Sequence, residues 1–342
     1  MIKPVSNPPN PWESTYVEWL GEPPEARLEI FEEEPRSILA ENESPDVGFR
    51  WSLNPYRGCF HACAYCYART SHEYLGFGAG TDFDRKIVVK VNAPQLLRSE
   101  LSRRSWMGET IIFSGNTDCY QPLEAVYELT RRCLEVCADC RNPVAIITKG
   151  ALVRRDAALL ARLSRETDVS VSLSIPIGDE EMSRAIEPNA SLPSQRFETL
   201  RILSQAGIRT GVGVSPVIPG LNDGQISSVL ARARAAGATS AFMTLVRLAG
   251  QTLPVFRERL ELAFPQRASK VWSAIRQVRG GKWNESRFHA RMHGVGPRWD
   301  AIRTLFDVEC RRLGFNDERV GERGETERAR FLRPGEQGEL FE

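Results

Sequence analysis

From Trp51 onward the chain repeats one pattern: a short run rich in β-branched and apolar residues, then an amphipathic stretch with helical period. This alternation is the mark of βα units laid around a parallel sheet, and it restricts the fold more than any other feature. The clearest strands are predicted at 87–91, 110–114, 144–148, 169–175, 210–214 and 240–245. Candidate helices lie at 93–104, 122–140, 154–164, 194–206, 224–236 and 253–264, and glycine stands where two of them stop, at Gly207 and Gly237. With five or six such units in series, an α/β barrel, open or closed, is favoured over a doubly wound sheet. A chain of 342 residues, 42% hydrophobic and 26% charged, is long enough to bury its core.

The flanks differ from this core. Residues 1–48 are rich in proline and glutamate, with Pro8, Pro9, Pro11 and the run Glu32-Glu33-Glu34, and read as an extended, at most partly ordered leader. The barrel is expected over 49–250, a helical extension with a last helix at 299–313 over 251–315, and a charged tail over 316–342. No apolar run is long enough to cross a bilayer and the amino terminus lacks the pattern of a secretory signal, so the expected location is the cytoplasm. Net charge is +1, which offers no global field for nucleic acid, although 279–298 is locally basic. Eight cysteines in a reducing compartment read as metal ligands, redox groups or small buried residues before they read as disulfides.

Three of the eight cluster in the stretch RGCFHACAYCY: Cys59, Cys63 and Cys66, at spacing C-x3-C-x2-C. Thiolates are soft ligands, and three within one short loop converge around a compact metal centre. Two centres compete. A zinc ion would need a fourth protein ligand, for which His61 is placed, and would make the chain a zinc-stabilised binding module. An iron–sulfur cube held by three cysteines would keep one iron open for a substrate or cofactor.

The motif Cys59, Cys63, Cys66 after the first strand of a βα series resembles the radical S-adenosylmethionine (radical SAM) superfamily. The triplet Tyr65-Cys66-Tyr67 is similar to its spore photoproduct lyase-like, DNA repair photolyase-related branch. The resemblance covers roughly residues 50–250. It implies a partial (β/α)6 TIM-like barrel in which the three cysteines bind a [4Fe-4S] cluster and the open iron binds S-adenosylmethionine. An electron from a donor such as a flavodoxin or ferredoxin would then cleave S-adenosylmethionine to a 5′-deoxyadenosyl radical that takes hydrogen from a substrate. A narrower alternative within the branch is a lyase that repairs a DNA lesion. The cofactor site is implied at strand ends: Tyr65 near the cluster; Gly115, Asn116, Thr117 and Asp118 for the methionine ammonium; Lys149 for its carboxylate. Ser172 and Ser174 would bond the ribose, the loop 214–223 would flank the same mouth, and Arg196 would contact the carboxylate or anchor its loop through Glu187. Catalytic roles are implied for Tyr67, as radical relay or cluster cover, and for Cys119, as hydrogen donor or small buried residue.

Two stretches are read as decoys. Cys133, Cys137 and Cys140 repeat the C-x3-C-x2-C spacing, but they fall on one face of the 122–140 helix, shared with Val126 and Leu129, and a helix cannot wrap a cluster. His289 and His293 have no carboxylate placed to complete a metal site, and with Lys282, Trp283, Arg287, Arg298 and Trp299 they form a basic, aromatic segment able to bind nucleic acid or simply to pack.

Overall fold

The computed structural model of the chain describes residues 27–317 and 331–334. Ten strands occur among them: β1 (Glu29–Glu33), β2 (Leu39–Glu41), β3 (Trp51–Leu53), β4 (Tyr56–Arg57), β5 (Lys86–Lys90), β6 (Ile111–Phe113), β7 (Val144–Thr148), β8 (Val169–Ser174), β9 (Arg209–Val217) and β10 (Ser240–Leu245). The large sheet runs β10-β9-β8-β7-β6-β3-β2. Its six strands β3, β6, β7, β8, β9 and β10 are parallel, each beside the next of that series, while β2 closes one edge antiparallel to β3. Helices Leu129–Asp139, Ala157–Glu166, Pro193–Gln205 and Ile226–Ala235 connect successive strands from β6 onward. This is the six-unit partial barrel, and the apolar residues of its strands form the main core with those helices.

The first unit was misplaced by periodicity. The run expected at 87–91 is β5, which lies in a separate sheet of order β1-β5-β4. The first barrel strand is β3, whose three residues are too few to show an alternation. The acidic leader also enters the structure. Its charged side chains can face water because, among the described residues, β1 is an edge strand paired only with β5. Arg57 donates to Glu33 at 3.1 Å, and the buried Glu100 carboxylate accepts the N–H groups of Ile38 (2.8 Å) and Leu39 (3.1 Å), tying the leader to helix Ala93–Leu101. Residues 1–26 and most of the tail lie outside the described residues. Within the tail, Leu332 donates its N–H to the Cys140 carbonyl at 2.8 Å.

The helix expected at 122–140 is two: Glu124–Tyr127 and Leu129–Asp139, broken at Glu128 with φ of 51°. Glu124 explains the break. Its fully buried carboxylate accepts the N–H groups of Thr130 (2.9 Å) and Arg131 (3.2 Å) at the start of the second helix. Cys133, Cys137 and Cys140 are buried on that helix as expected. Val126 stands before the break and is 80% exposed, so it does not share their face. The carboxyl-terminal part holds Thr252–Ala263, Pro265–Val278 and Pro297–Leu313, the second of which the sequence reading did not separate. No helix among the described residues is long and apolar enough to cross a membrane.

Candidate active site

The loop that carries the three cysteines leaves β4 through Gly58, whose φ of 76° and 3.0 Å approach to His72, Ile87 and the Lys86 carbonyl exclude a side chain. The loop is held by its surroundings more than by itself. Cys59 donates its N–H to Phe83 O (2.9 Å) and Ala64 to Ile186 O (2.9 Å), while Gln121 and Asn189 side chains satisfy Gly58, Phe60 and their neighbours. From behind, two buried arginines grip its carbonyls. Arg69 donates to Cys63 O at 2.9 and 3.1 Å, Arg259 donates to Ala62 O, and Asp84 lies between the two guanidiniums at 2.8 and 2.5 Å.

In front of the loop is a cavity of about 610 Å³ at the carboxyl ends of the parallel strands. Cys59, Cys63 and Cys66 line it, as do Tyr65 and Tyr67. Burial pushes the Cys59 thiol well above its ordinary range, with Asp118 and the neighbouring thiols adding to the shift, and Cys63 is pushed up to about 12. Thiols in such a place become thiolates by binding a metal cation. Among the described residues no group of three or more His, Cys, Asp and Glu is arranged to hold a single metal ion. His61 instead sits with Nδ1 3.3 Å from Asp118 Oδ2. A structural zinc needs four protein ligands around one ion, whereas a cube takes one thiolate for each of three irons.

The turn after β6 supplies the next wall. Gly115, Asn116, Thr117 and Asp118 all line the cavity. Gly115 is required because an added Cβ would stand 2.6 Å from that of Ser52. Asn54 fixes the turn by accepting from Asn116 N–H (2.8 Å) and Thr117 N–H (3.2 Å), and Tyr67, 45% exposed, ties it to the cysteine loop by donating to Gly115 O at 2.8 Å. Asp118 reaches the cavity, but its oxygens already accept from Thr148 Oγ1 (2.6 Å), Tyr120 N–H (2.9 Å) and Lys149 N–H (2.7 Å). It shapes the wall, and its carboxylate is largely committed. Lys149, at the end of β7, lines the cavity with Nζ 5.6 Å from the Tyr65 ring centroid. Ser174 lines it as well.

Three expected site residues do not line it. Ser172 shares a face with Ser174 but stands two residues lower on β8, beside Gly211. Cys119 is wholly buried, and its N–H donates to Ser114 Oγ (2.7 Å) while its carbonyl accepts from Thr130 Oγ1 (2.6 Å). Arg196 is also wholly buried, donating to Glu187 (2.6 Å), Ser174 O (2.9 Å) and Ser191 O (2.6 Å). It anchors its loop, and Glu187 accepts in turn from the Tyr65 hydroxyl. Ser215 and Pro216 of the loop 214–223 line it as expected, and the walls that sequence reasoning missed come from Thr244, Arg247 and Arg291 and from leader residues such as Ser44.

Burial alone would raise the Glu187 carboxyl, but Arg196, then Lys149 and Tyr65, outweigh it and hold it below its ordinary range. Asp118 is likewise held well below its range, burial being outweighed by His61, the Lys149 N–H and Thr148. Their stabilisation is complete above the unfolded carboxylate pKa of about 4 and is lost as pH falls toward their own lower values. The thermal midpoint should therefore drop below about pH 4, and Glu187→Gln should flatten that drop, as melting curves across acid pH would show.

The basic, aromatic segment is packed at its tryptophans and paired at two of its arginines, while Lys282, Arg287, Phe288, His289 and His293 are exposed. Trp299 is buried, Trp283 meets Trp272 edge-on at 5.4 Å, Arg287 pairs with Glu285 (2.9 Å) and Arg298 with Asp223 (3.4 Å). His289 and His293 lie in turns, not on a helix.

The family described as the radical SAM superfamily matches residues 53–233. An uncharacterized protein of Mycobacterium tuberculosis is 41% identical over 231 residues, which is 67% of this chain and 68% of that protein. The radical SAM Nalpha-GlyT isomerase of Pseudomonas phage M6 is 25% identical over 224 residues, 65% of this chain and 44% of that one. Among solved structures, spore photoproduct lyase complexed with dinucleoside spore photoproduct aligns with a TM-score of 0.59 over 84% of this chain and 80% of its own, at 14% identity, a likeness of fold. The match over more than half of the chain, on a six-unit barrel whose mouth carries the three cysteines, makes this chain a member of the radical SAM superfamily, enzymes that use a [4Fe-4S] cluster and S-adenosylmethionine.

Proposed function

We propose that Cys59, Cys63 and Cys66 hold the cluster, that the turn 115–118 and Lys149 receive S-adenosylmethionine, and that the rest of the cavity holds an organic substrate that gives up a hydrogen atom. The single observation that carries this reading is that the three thiols, the turn and Lys149 all line one cavity. When bound, the two cofactors supply one-electron cleavage of a sulfonium carbon–sulfur bond and so a strong acceptor of hydrogen atoms. The chain's own part is binding and placement. The Lys149 ammonium, with no carboxylate partner among the described residues, offers a charge to the cofactor carboxylate. Asn54 and Tyr67 hold the turn whose polar atoms meet the ammonium, and Glu187 fixes the phenol of Tyr65 beside the cysteines.

Enzymes of this family need a reductant, and a flavodoxin or ferredoxin is the class of donor proposed here. The narrower reading as a DNA-lesion lyase gains nothing from this site, since Cys119 lies away from the cavity. Anaerobically reconstituted protein should bind about four irons per chain and, reduced with dithionite, convert S-adenosylmethionine slowly to 5′-deoxyadenosine without added substrate. A colourless, zinc-loaded protein that makes no 5′-deoxyadenosine would refute the reading in favour of a zinc-binding module.

A further inference from the structure

We infer that Arg247 is an anion-recognising wall of the cavity, so that the substrate carries a carboxylate or phosphate group. The inference rests on the function proposed above and names the substrate class for the same site. Arg247 stands two residues past β10, the last barrel strand, and lines the cavity. Its guanidinium carbon lies 5.6 Å from the ring centroid of Tyr67. Among the described residues it has no hydrogen-bond or ion-pair partner, and its Nε is buried with none.

Apart from Lys149, the other charged side chains of the cavity are already paired. Arg291, which also lines the cavity, pairs with Asp46 and donates to Ser44 Oγ at 2.5 Å. Glu41 pairs with Arg50 at 2.8 Å, and Asp118 with the groups named above. A partly buried guanidinium with no partner is unfavourable in the empty protein, because it gives up water without a compensating bond. A bound oxyanion removes that cost. The planar fork of arginine matches two oxygens of a carboxylate or phosphate, and the tyrosine ring beside it limits how the fork can turn.

The cofactor's own carboxylate has a nearer cation. Lys149 directly follows β7 and acts electrostatically on Cys63 and Cys66, whereas Arg247 follows β10, three strands away in the order β7-β8-β9-β10. Arg291 and Asp46 are among the charged groups that act on Arg247, as is Arg279. Two cations thus reach one cavity from different strands of the barrel.

The test uses full-length protein with cluster and S-adenosylmethionine bound, titrated with inorganic phosphate and separately with propionate, and read by calorimetry and thermal midpoint. At least one anion should bind at millimolar concentration and raise the midpoint. Arg247→Gln should weaken that anion about tenfold or more, the worth of a charged hydrogen bond, with S-adenosylmethionine affinity changed less than about twofold. Arg247→Lys should keep part of the effect. Without anion, Arg247→Gln should melt no lower than the wild type, since only an unpaired charge is removed. The inference falls if neither anion binds, if the anion effect survives in Arg247→Gln, or if that variant loses S-adenosylmethionine instead. A wild-type protein that fails to take up iron refutes the underlying function before any anion is added.

Discussion

Cys63→Ser should take iron from about four per chain to near zero and abolish 5′-deoxyadenosine formation, while the protein still folds. A serine hydroxyl is close to the thiol in size but stays protonated and is a hard ligand, so it does not replace a thiolate on iron. The loop does not depend on the sulfur for its shape, because Arg69 holds the Cys63 carbonyl and Ile186 the Ala64 N–H. Cys59→Ser and Cys66→Ser should behave alike. The control lies in the second series. Cys137 is fully buried on helix Leu129–Asp139, so Cys137→Ser should cost about 1–3 kcal/mol for a hydroxyl placed in an apolar site and leave iron unchanged. Iron analysis of the two variants side by side decides the assignment: loss in Cys137→Ser and retention in Cys63→Ser would reverse it.

That contrast was legible in the sequence because local pattern is enough to separate a loop from a helix face. The barrel was legible for the same reason from β6 to β10, whose buried apolar runs alternate with amphipathic helices. What escaped was set by partners distant in the chain. β3 is too short for a pattern, and β1 and β2 lie in an acidic stretch that reads as solvent-exposed because they sit at sheet edges. The sequence offered Arg196 two roles, and only its pairing with Glu187 on folding shows that its charge is held inside the loop. Ser172 and Ser174 share a face by alternation, yet alternation does not say which of them reaches the mouth. Arg247 looks like any surface arginine, and its significance appears only when the neighbouring charges are seen to be paired with one another.

The same holds for the residue whose loss should cost the most stability outside the metal site. Asp84 is the one carboxylate bonded to both buried guanidiniums behind the cysteine loop, Arg69 at 2.8 Å and Arg259 at 2.5 Å. Asp84→Ala would leave two buried cations facing backbone carbonyls alone, and removing one partner of such a network destabilises by about 3–5 kcal/mol. The consequence should be larger at the loop than elsewhere, because Arg69 and Arg259 carry the hydrogen bonds to Cys63 O and Ala62 O. Urea unfolding of Asp84→Ala should show a lower midpoint, and iron should leave the reconstituted variant faster in the presence of a chelator. Arg259→Met alone should destabilise less, since Asp84 keeps Arg69 and the aliphatic stem is replaced. In the double variant the second change should cost less than it does in the wild type, because it removes one of the charges that Asp84 no longer balances. Strict additivity of the two substitutions would mean that the arginines are held by their carbonyl bonds alone, and that the carboxylate contributes little to the shape of the loop.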